Sequence, residues 1–246
     1  MCGRYFRHRD PVEFVRAFGA APPTPNHPPT WNMAPTQAGL VLRRNPQTAT
    51  RHLDVLRWGL VPRWAKDAGG AARLINARAE TVLDKPSFRG AFRQRRCIVP
   101  MDGFYEWAQE VKPKQPFAVA LRNGAPMAVA GLWEGWQDAE GHWLRSYCVI
   151  TCAAAGRQLD LHPRMPVILP AAVWAGWLGE ESMEELALTQ LLRPARDDSL
   201  AFWPVGAQVG RVSVDTPALL HPLTEGLSEK WDKLRDPPPD WAEVAR

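Results

Sequence analysis

Residues 116–134 read Pro116-Phe-Ala-Val-Ala-Leu-Arg-Asn-Gly-Ala-Pro-Met-Ala-Val-Ala-Gly-Leu-Trp-Glu134, two apolar, strand-forming runs on either side of Asn123-Gly124. An Asn-Gly pair takes up the left-handed backbone that a tight turn needs, so this spacing predicts a β-hairpin. Strand-like runs with turn residues between them continue outward in both directions, at 38–44, 52–58, 96–100, 103–109, 144–152 and 165–169, with a further turn from Asp138 to Gly141. Helical patterns are fewer. Asp10 is placed to cap a helix that starts at Pro11, with Glu13 completing a capping box and Gly19 stopping it. Pro170 to Gly179 and Glu181 to Leu192 also have helical spacing, while residues 20–31 form a proline-punctuated loop. Strands outnumber helices and hairpins dominate, so we expect an α+β fold: a single domain with a mainly antiparallel, barrel-like β core and flanking helices. The domain is expected over residues 2–223. Asp236-Pro-Pro-Pro-Asp240 marks 224–246 as a loose C-terminal tail.

The chain has 246 residues, 46% of them hydrophobic, enough for an ample core. Its net charge is +4, and arginines cluster at Arg43-Arg44 and at Arg93, Arg95 and Arg96, which suits a polyanionic partner. Most of the twelve tryptophans belong in the core, with some left as stacking platforms for bases. No apolar run is long enough to span a membrane and no charged-then-apolar leader is present, so a cytoplasmic protein is expected, nucleoid-associated when bound to DNA. The four cysteines, Cys2, Cys97, Cys148 and Cys152, include no C-x-x-C pair. Cys148 and Cys152 share a strand and should face the core. No His or Cys pair sits at ligand spacing, so neither a metal nor a cofactor is expected.

Cys2 is the first residue with chemistry to offer. Removal of Met1 would leave a thiol and an α-amine on neighbouring atoms, titrating near ~8.5 and ~8. Such a 1,2-aminothiol condenses with an aldehyde and closes a thiazolidine. Four other segments are too polar for their settings. Asn76, Arg78 and Glu80 alternate with small apolar residues and leave one face of an extended segment, which also describes a half-exposed strand. Glu106 sits in the aromatic run Phe104-Tyr-Glu-Trp107, where a carboxylate is costly unless paired or functional, or lies on an edge strand. His162 and Arg164 lead into an apolar strand, where a histidine before a proline is often a loop residue. Thr151 ends an apolar strand and suits a capping or turn role equally well.

Six motifs occur together in order: Met1-Cys-Gly-Arg-Tyr5, Asn32-Met-Ala-Pro35, Trp58-Gly-Leu60, Ile75-Asn-Ala-Arg-Ala-Glu80, Val99-Pro-Met-Asp-Gly-Phe-Tyr-Glu-Trp107 and His162-Pro-Arg-Met-Pro166. Taken together they resemble the SRAP (SOS response-associated peptidase) domain family, over nearly the whole chain up to about residue 223. The resemblance implies a protein that senses and shields abasic sites in single-stranded DNA through a covalent thiazolidine crosslink, with self-processing of Met1. It assigns the nucleophile to Cys2, the orientation of its amine and thiol to Asn76, acid/base catalysis to Glu106, and assistance to sugar ring opening and proton transfer to His162. Arg4, Arg78, Thr151 and Arg164 match positions that grip backbone phosphates, and Trp107 matches an aromatic lining the DNA path. The partner implied is single-stranded DNA bearing an abasic site, bound by a monomer. Two positions depart from the family pattern: Met101 replaces a small residue, and Pro163 stands where aspartate is frequent.

The residues suit that chemistry. A carboxyl among Phe104, Tyr105 and Trp107 should titrate high enough to give and take protons near neutrality. The thiol, held on the same residue as the amine, traps an iminium at high effective molarity before β-elimination cuts the strand. Three other readings remain: a thiol peptidase acting on other proteins, a non-covalent single-strand binder, and an abasic lyase.

Overall fold

The computed structural model describes residues 2–108, 114–225 and 229–243. In chain order, the first part holds β1 (Tyr5–Arg7), α1 (Pro11–Phe18), β2 (Thr30–Met33), β3 (Ala38–Arg44), β4 (Arg51–Trp58), β5 (Asn76–Arg78) and α2 (Pro86–Gln94). The middle holds β6 (Arg96–Met101), β7 (Gly103–Trp107), β8 (Pro116–Leu121), β9 (Met127–Gln137) and β10 (Trp143–Ala153). After these come β11 (Arg164–Pro166), α3 (Trp174–Leu178), α4 (Glu185–Gln190), β12 (Leu200–Pro204) and α5 (Asp240–Glu243).

A five-stranded sheet has the order β12-β8-β7-β1-β2, and a seven-stranded sheet the order β11-β10-β4-β3-β6-β9 with β5 also on β10. Because β9 pairs with β10 as well, β10, β4, β3, β6 and β9 close into a ring. This is the barrel-like, mainly antiparallel core that the sequence implies. The parallel pairings between these strands are those of β10 with β4 and β5. β10 takes β4 and then β5 along one edge, and β9 and then β11 along the other.

The hairpin expected across Asn123-Gly124 does not form. β8 has both edges occupied, by β7 and β12, while β9 lies between β6 and β10. The Asn-Gly turn keeps its local geometry, with Gly124 at φ 69° and the Ala125 N–H donating to Asn123 Oδ1 at 3.1 Å, but it carries the chain from one sheet to the other. The turn from Asp138 to Gly141 does join a true hairpin, β9–β10. α1 forms as its caps dictate: Asp10 Oδ1 accepts from the Val12 N–H, Glu13 Oε1 accepts from the Asp10 N–H, and Gly19 ends the helix at φ 63°. The helices after residue 170 are shorter than expected. The extended segment at 74–80 is a strand only at Asn76–Arg78, and Glu80 falls in the following 3₁₀ turn. Residue 109, the last of one expected strand, lies outside the described residues.

One large core fills the barrel, with Cys148, Trp58 and Tyr147 in it. Inside it the Tyr5 and Tyr147 hydroxyls share a 2.8 Å hydrogen bond beside Gly39. A smaller core joins Phe6, Tyr105 and Trp203 under Trp31, Trp107 and Trp241. The stretch expected as a loose tail is packed where it is described. Trp231 is 2% exposed and Leu234 is buried. Asp236 donates its N–H to Phe202 O at 2.8 Å and accepts from Arg157 at 2.8 Å. No helix among the described residues is long and apolar enough to cross a membrane.

Candidate active site and nucleic-acid interface

β1 pairs antiparallel with β7, Tyr5 opposite Phe104, and the Tyr105 N–H donates to Arg4 O at 3.0 Å. That register brings Cys2, just ahead of β1, beside Glu106. On the barrel side, β5 runs parallel to the end of β10, with Asn76 opposite Val149 and Arg78 opposite Thr151. Asn76 Nδ2 donates to the Cys2 carbonyl at 2.9 Å and so ties the two sheets together at the N-terminus. Asn76 Oδ1 is buried and has no hydrogen-bond partner among the described residues. An orphaned buried acceptor is uncommon in a folded protein and marks a place where a donor is wanted.

Cys2 is 0% exposed. Burial first, and then the charge of Glu106, push its thiol up to about 12. Glu106 is 3% exposed. Burial raises its carboxyl to about 7, against partial relief from the Trp107 N–H and the charge of Lys114. The carboxyl that the sequence reading expects to titrate high therefore does so. The 3.3 Å hydrogen bond from the Trp107 N–H to Oε1 fixes its orientation. His162 is half-buried, and its Nδ1 lies 3.0 Å from the Arg164 amide nitrogen and 3.3 Å from the Arg164 carbonyl, which together fix the ring's orientation. Burial, together with the charges of Arg164 and Lys114, holds its pKa below the ordinary histidine value.

The phosphate-gripping candidates are placed less uniformly. Arg78 is exposed at the rim, with no ion pair among the described residues. Arg164 makes a two-pronged ion pair with Glu80, at 2.6 and 2.9 Å, and also donates to the Thr151 carbonyl at 2.6 Å. Thr151 is fully buried inside β10, so its hydroxyl does not face solvent; its carbonyl instead steadies Arg164. Neither the capping nor the turn reading describes it. Arg4 is held inward by Asn32 Oδ1 at 2.8 Å and Val209 O at 2.9 Å. Trp107 is half-buried against the smaller core. Met101 lies wholly in the main core, away from the rim, and Pro163 is exposed.

The arginine clusters that suggest a polyanion surface are largely engaged within the fold. Arg43 pairs with Asp54, Arg93 with Glu185 and Arg95 with Glu134, while Arg96 donates to the Trp177, Phe92 and Arg93 carbonyls. Two site features escape sequence reasoning. Lys114, whose charge reaches both Glu106 and His162, carries no local signal. Glu80 acts as the partner of Arg164, a pairing across 84 residues. The one group of potential metal-binding side chains found among the described residues is Asp138, Glu140 and His142, in the β9–β10 turn, where Asp138 already accepts from His142.

A family model described as SOS response associated peptidase (SRAP) matches residues 1–212. The chain is 35% identical over 224 residues to the abasic site processing protein YoqW of Bacillus subtilis (strain 168), covering 90% of this chain and 99% of that one. It is 30% identical over 232 residues to the abasic site processing protein HMCES of Gallus gallus, covering 82% and 68% respectively. A crystal structure of a Bacteroides thetaiotaomicron protein shares the fold with a TM-score of 0.77 at 22% identity, over 84% of this chain and 93% of that one. One from Bordetella bronchiseptica gives 0.72 at 29% identity, over 83% and 100%.

Proposed function

The chain belongs to the SOS response associated peptidase family, and from that premise we propose that it processes abasic sites in DNA, crosslinking itself through Cys2 to the sugar aldehyde of a single strand. The observation that carries this reading is the grip of Asn76 on Cys2. Nδ2 holds the Cys2 carbonyl at 2.9 Å, and the buried Oδ1, which has no partner among the described residues, would accept from the α-amine freed when Met1 leaves.

In this reading Met1 is hydrolysed off first, consuming one water and releasing methionine, with the Cys2 thiol and Glu106 as the acting groups. An abasic sugar reacts only as its open aldehyde, and His162 assists the opening by moving the proton between ring oxygen and hydroxyl. The neutral Cys2 amine then attacks the aldehyde carbon to give a hemiaminal. Protonated Glu106 gives its proton to the hemiaminal hydroxyl, which leaves as water, and an iminium forms. The thiol is a poor nucleophile while protonated, and burial keeps it so. The Glu106 carboxylate just formed takes the thiol proton as sulfur adds to the iminium carbon, closing the thiazolidine and restoring the acid. The sum is aldehyde plus aminothiol giving thiazolidine plus one water. Without sulfur the iminium would acidify the neighbouring C–H and cut the strand, so a lyase-like side activity is expected wherever ring closure is slowed.

Arg78 and Arg164 would hold the phosphates, Arg4 would steady the strand that carries Cys2, and Trp107 would stack on a flanking base. Mass spectrometry of the purified protein, before and after incubation with an oligonucleotide containing one abasic site, tests the reading. A chain lacking methionine that gains the oligonucleotide mass less one water, in a product that survives denaturation and is absent from Cys2→Ala, is the expected result. A trimmed chain with no adduct would overturn it and favour a peptidase or a simple binder.

A further inference from the structure

A second cavity, of about 300 Å³, opens at the other end of β10 from Thr151, lined by Arg63, Arg95, Trp133, Glu134, Trp143 and Arg145. Six residues of strand separate Arg145 from Thr151, about 20 Å, so the cavity is separate from the site around Cys2. Its walls are built into the fold. The loop after β4 is clamped to the β9–β10 hairpin by the Val61 N–H on Ser146 Oγ at 2.9 Å and by Trp136 Nε1 on Ala65 O at 2.7 Å, which brings Arg63 to the hairpin's flank. Arg145 stands opposite Gly135 in the β9–β10 ladder, and the Trp143 ring lies over that glycine, near enough that an added Cβ would touch it at 3.4 Å. One side of the ring is thus supported, while the residue as a whole remains 62% exposed.

The charges do not balance. Glu134 takes Arg95 at 2.5 Å, while Arg63 and Arg145 have no carboxylate partner among the described residues. Glu134 is itself 4% exposed, and its Oε2 has no hydrogen-bond partner among the described residues. Two unpaired cations around one cavity call for an anion, a supported but open indole face calls for a flat aromatic group, and a buried unpaired acceptor calls for a donor.

We propose that this cavity is a nucleotide subsite: Trp143 stacks a base, and Arg63 and Arg145 hold the adjoining phosphate of lesion-free single-stranded DNA. It rests on the abasic-site reading only for the identity of the strand, because no aldehyde takes part. The subsite gives the protein a hold on undamaged strand distant from the reacting carbon.

The test uses the full chain and a short labelled oligodeoxyadenylate without a lesion, with fluorescence anisotropy read at several salt concentrations. The double variant Arg63→Ala/Arg145→Ala should bind more weakly and lower the salt slope by about one unit. Trp143→Ala should lose about fivefold or more, the size of one lost base stack. All three side chains are exposed, so melting temperatures should match wild type, and crosslink yield with saturating abasic oligonucleotide should be unchanged. Unaltered affinity and slope in both variants would overturn the proposal. Loss of binding in these variants together with no crosslink in wild type would sink the abasic-site reading while leaving this one standing. Deoxyadenosine monophosphate serves as competitor: effective competition assigns the cavity to free nucleotides, weak competition assigns it to a strand, and both support base-plus-phosphate recognition.

Discussion

Glu106 is the residue whose surroundings most shape the chemistry. Its carboxyl goes from an ordinary 4.5 to about 7 on folding, because ionising it inside the fold is costly. Between those two values the unfolded chain has given up the proton and the folded chain has kept it. Folding stability therefore falls as pH rises through this window and levels off above it, by a few kcal/mol at about 1.4 kcal/mol per pH unit. Glu106→Gln removes the ionisation, so it should match wild type near pH 4 and be the more stable form at pH 8, while its crosslinking becomes slow. Denaturant midpoints at the two pH values check this, and a constant difference between the proteins would contradict it. Glu80 offers a second test. It neutralises Arg164 at the rim, so Glu80→Gln should tighten lesion-free DNA binding and steepen its salt dependence, as read by anisotropy; weaker binding would mean that Arg164 needs Glu80 for its position.

The elements explain what the sequence made legible. The α1 caps, the β9–β10 turn and most long strands depend on neighbours within a few positions, so Asp10, Gly19 and Gly141 announce them. Whether β8 and β9 pair depends on which strands already occupy their edges, and nothing near Asn123 records that. β1, β2 and β12 are 3, 4 and 5 residues long and too short to show a period, and α2 starts at Pro86 without a side-chain cap. In the site, Glu106 was legible as a carboxylate in an apolar run, whereas the burial of Thr151 and the engagement of Arg164 arise from pairings across the fold. Gly39 in β3 tests one such pairing, since a Cβ there would overlap the hydroxyls of both Tyr5 and Tyr147. Gly39→Ala should cost about 1–3 kcal/mol in chemical denaturation. Adding Tyr147→Phe should recover part of that loss, where independent sites would simply add. A fully stable Gly39→Ala would show that β1 has room to spare.

At the scale of the molecule, the C-terminal stretch closes the body. Trp231 is buried, and Trp241 covers Phe6 and His8 while donating to the Gly124 carbonyl at 3.1 Å. Burying a large apolar side chain contributes about 1.5–3 kcal/mol, so a chain ending at residue 223 should lose several kcal/mol. A thermal melt coinciding with that of the full chain would restore the loose-tail reading. The complete burial of Cys2 has a consequence in time. Its pocket needs β7, about a hundred residues further on, and β5 held by β10 as far as Thr151. At a synthesis rate of roughly 5–20 residues per second, the ribosome takes about 7–30 s to reach that point. During this interval the Cys2 side chain is open to solvent, and afterwards it is enclosed. Any reagent or enzyme that acts on the Cys2 thiol before folding therefore has only those seconds in which to reach it.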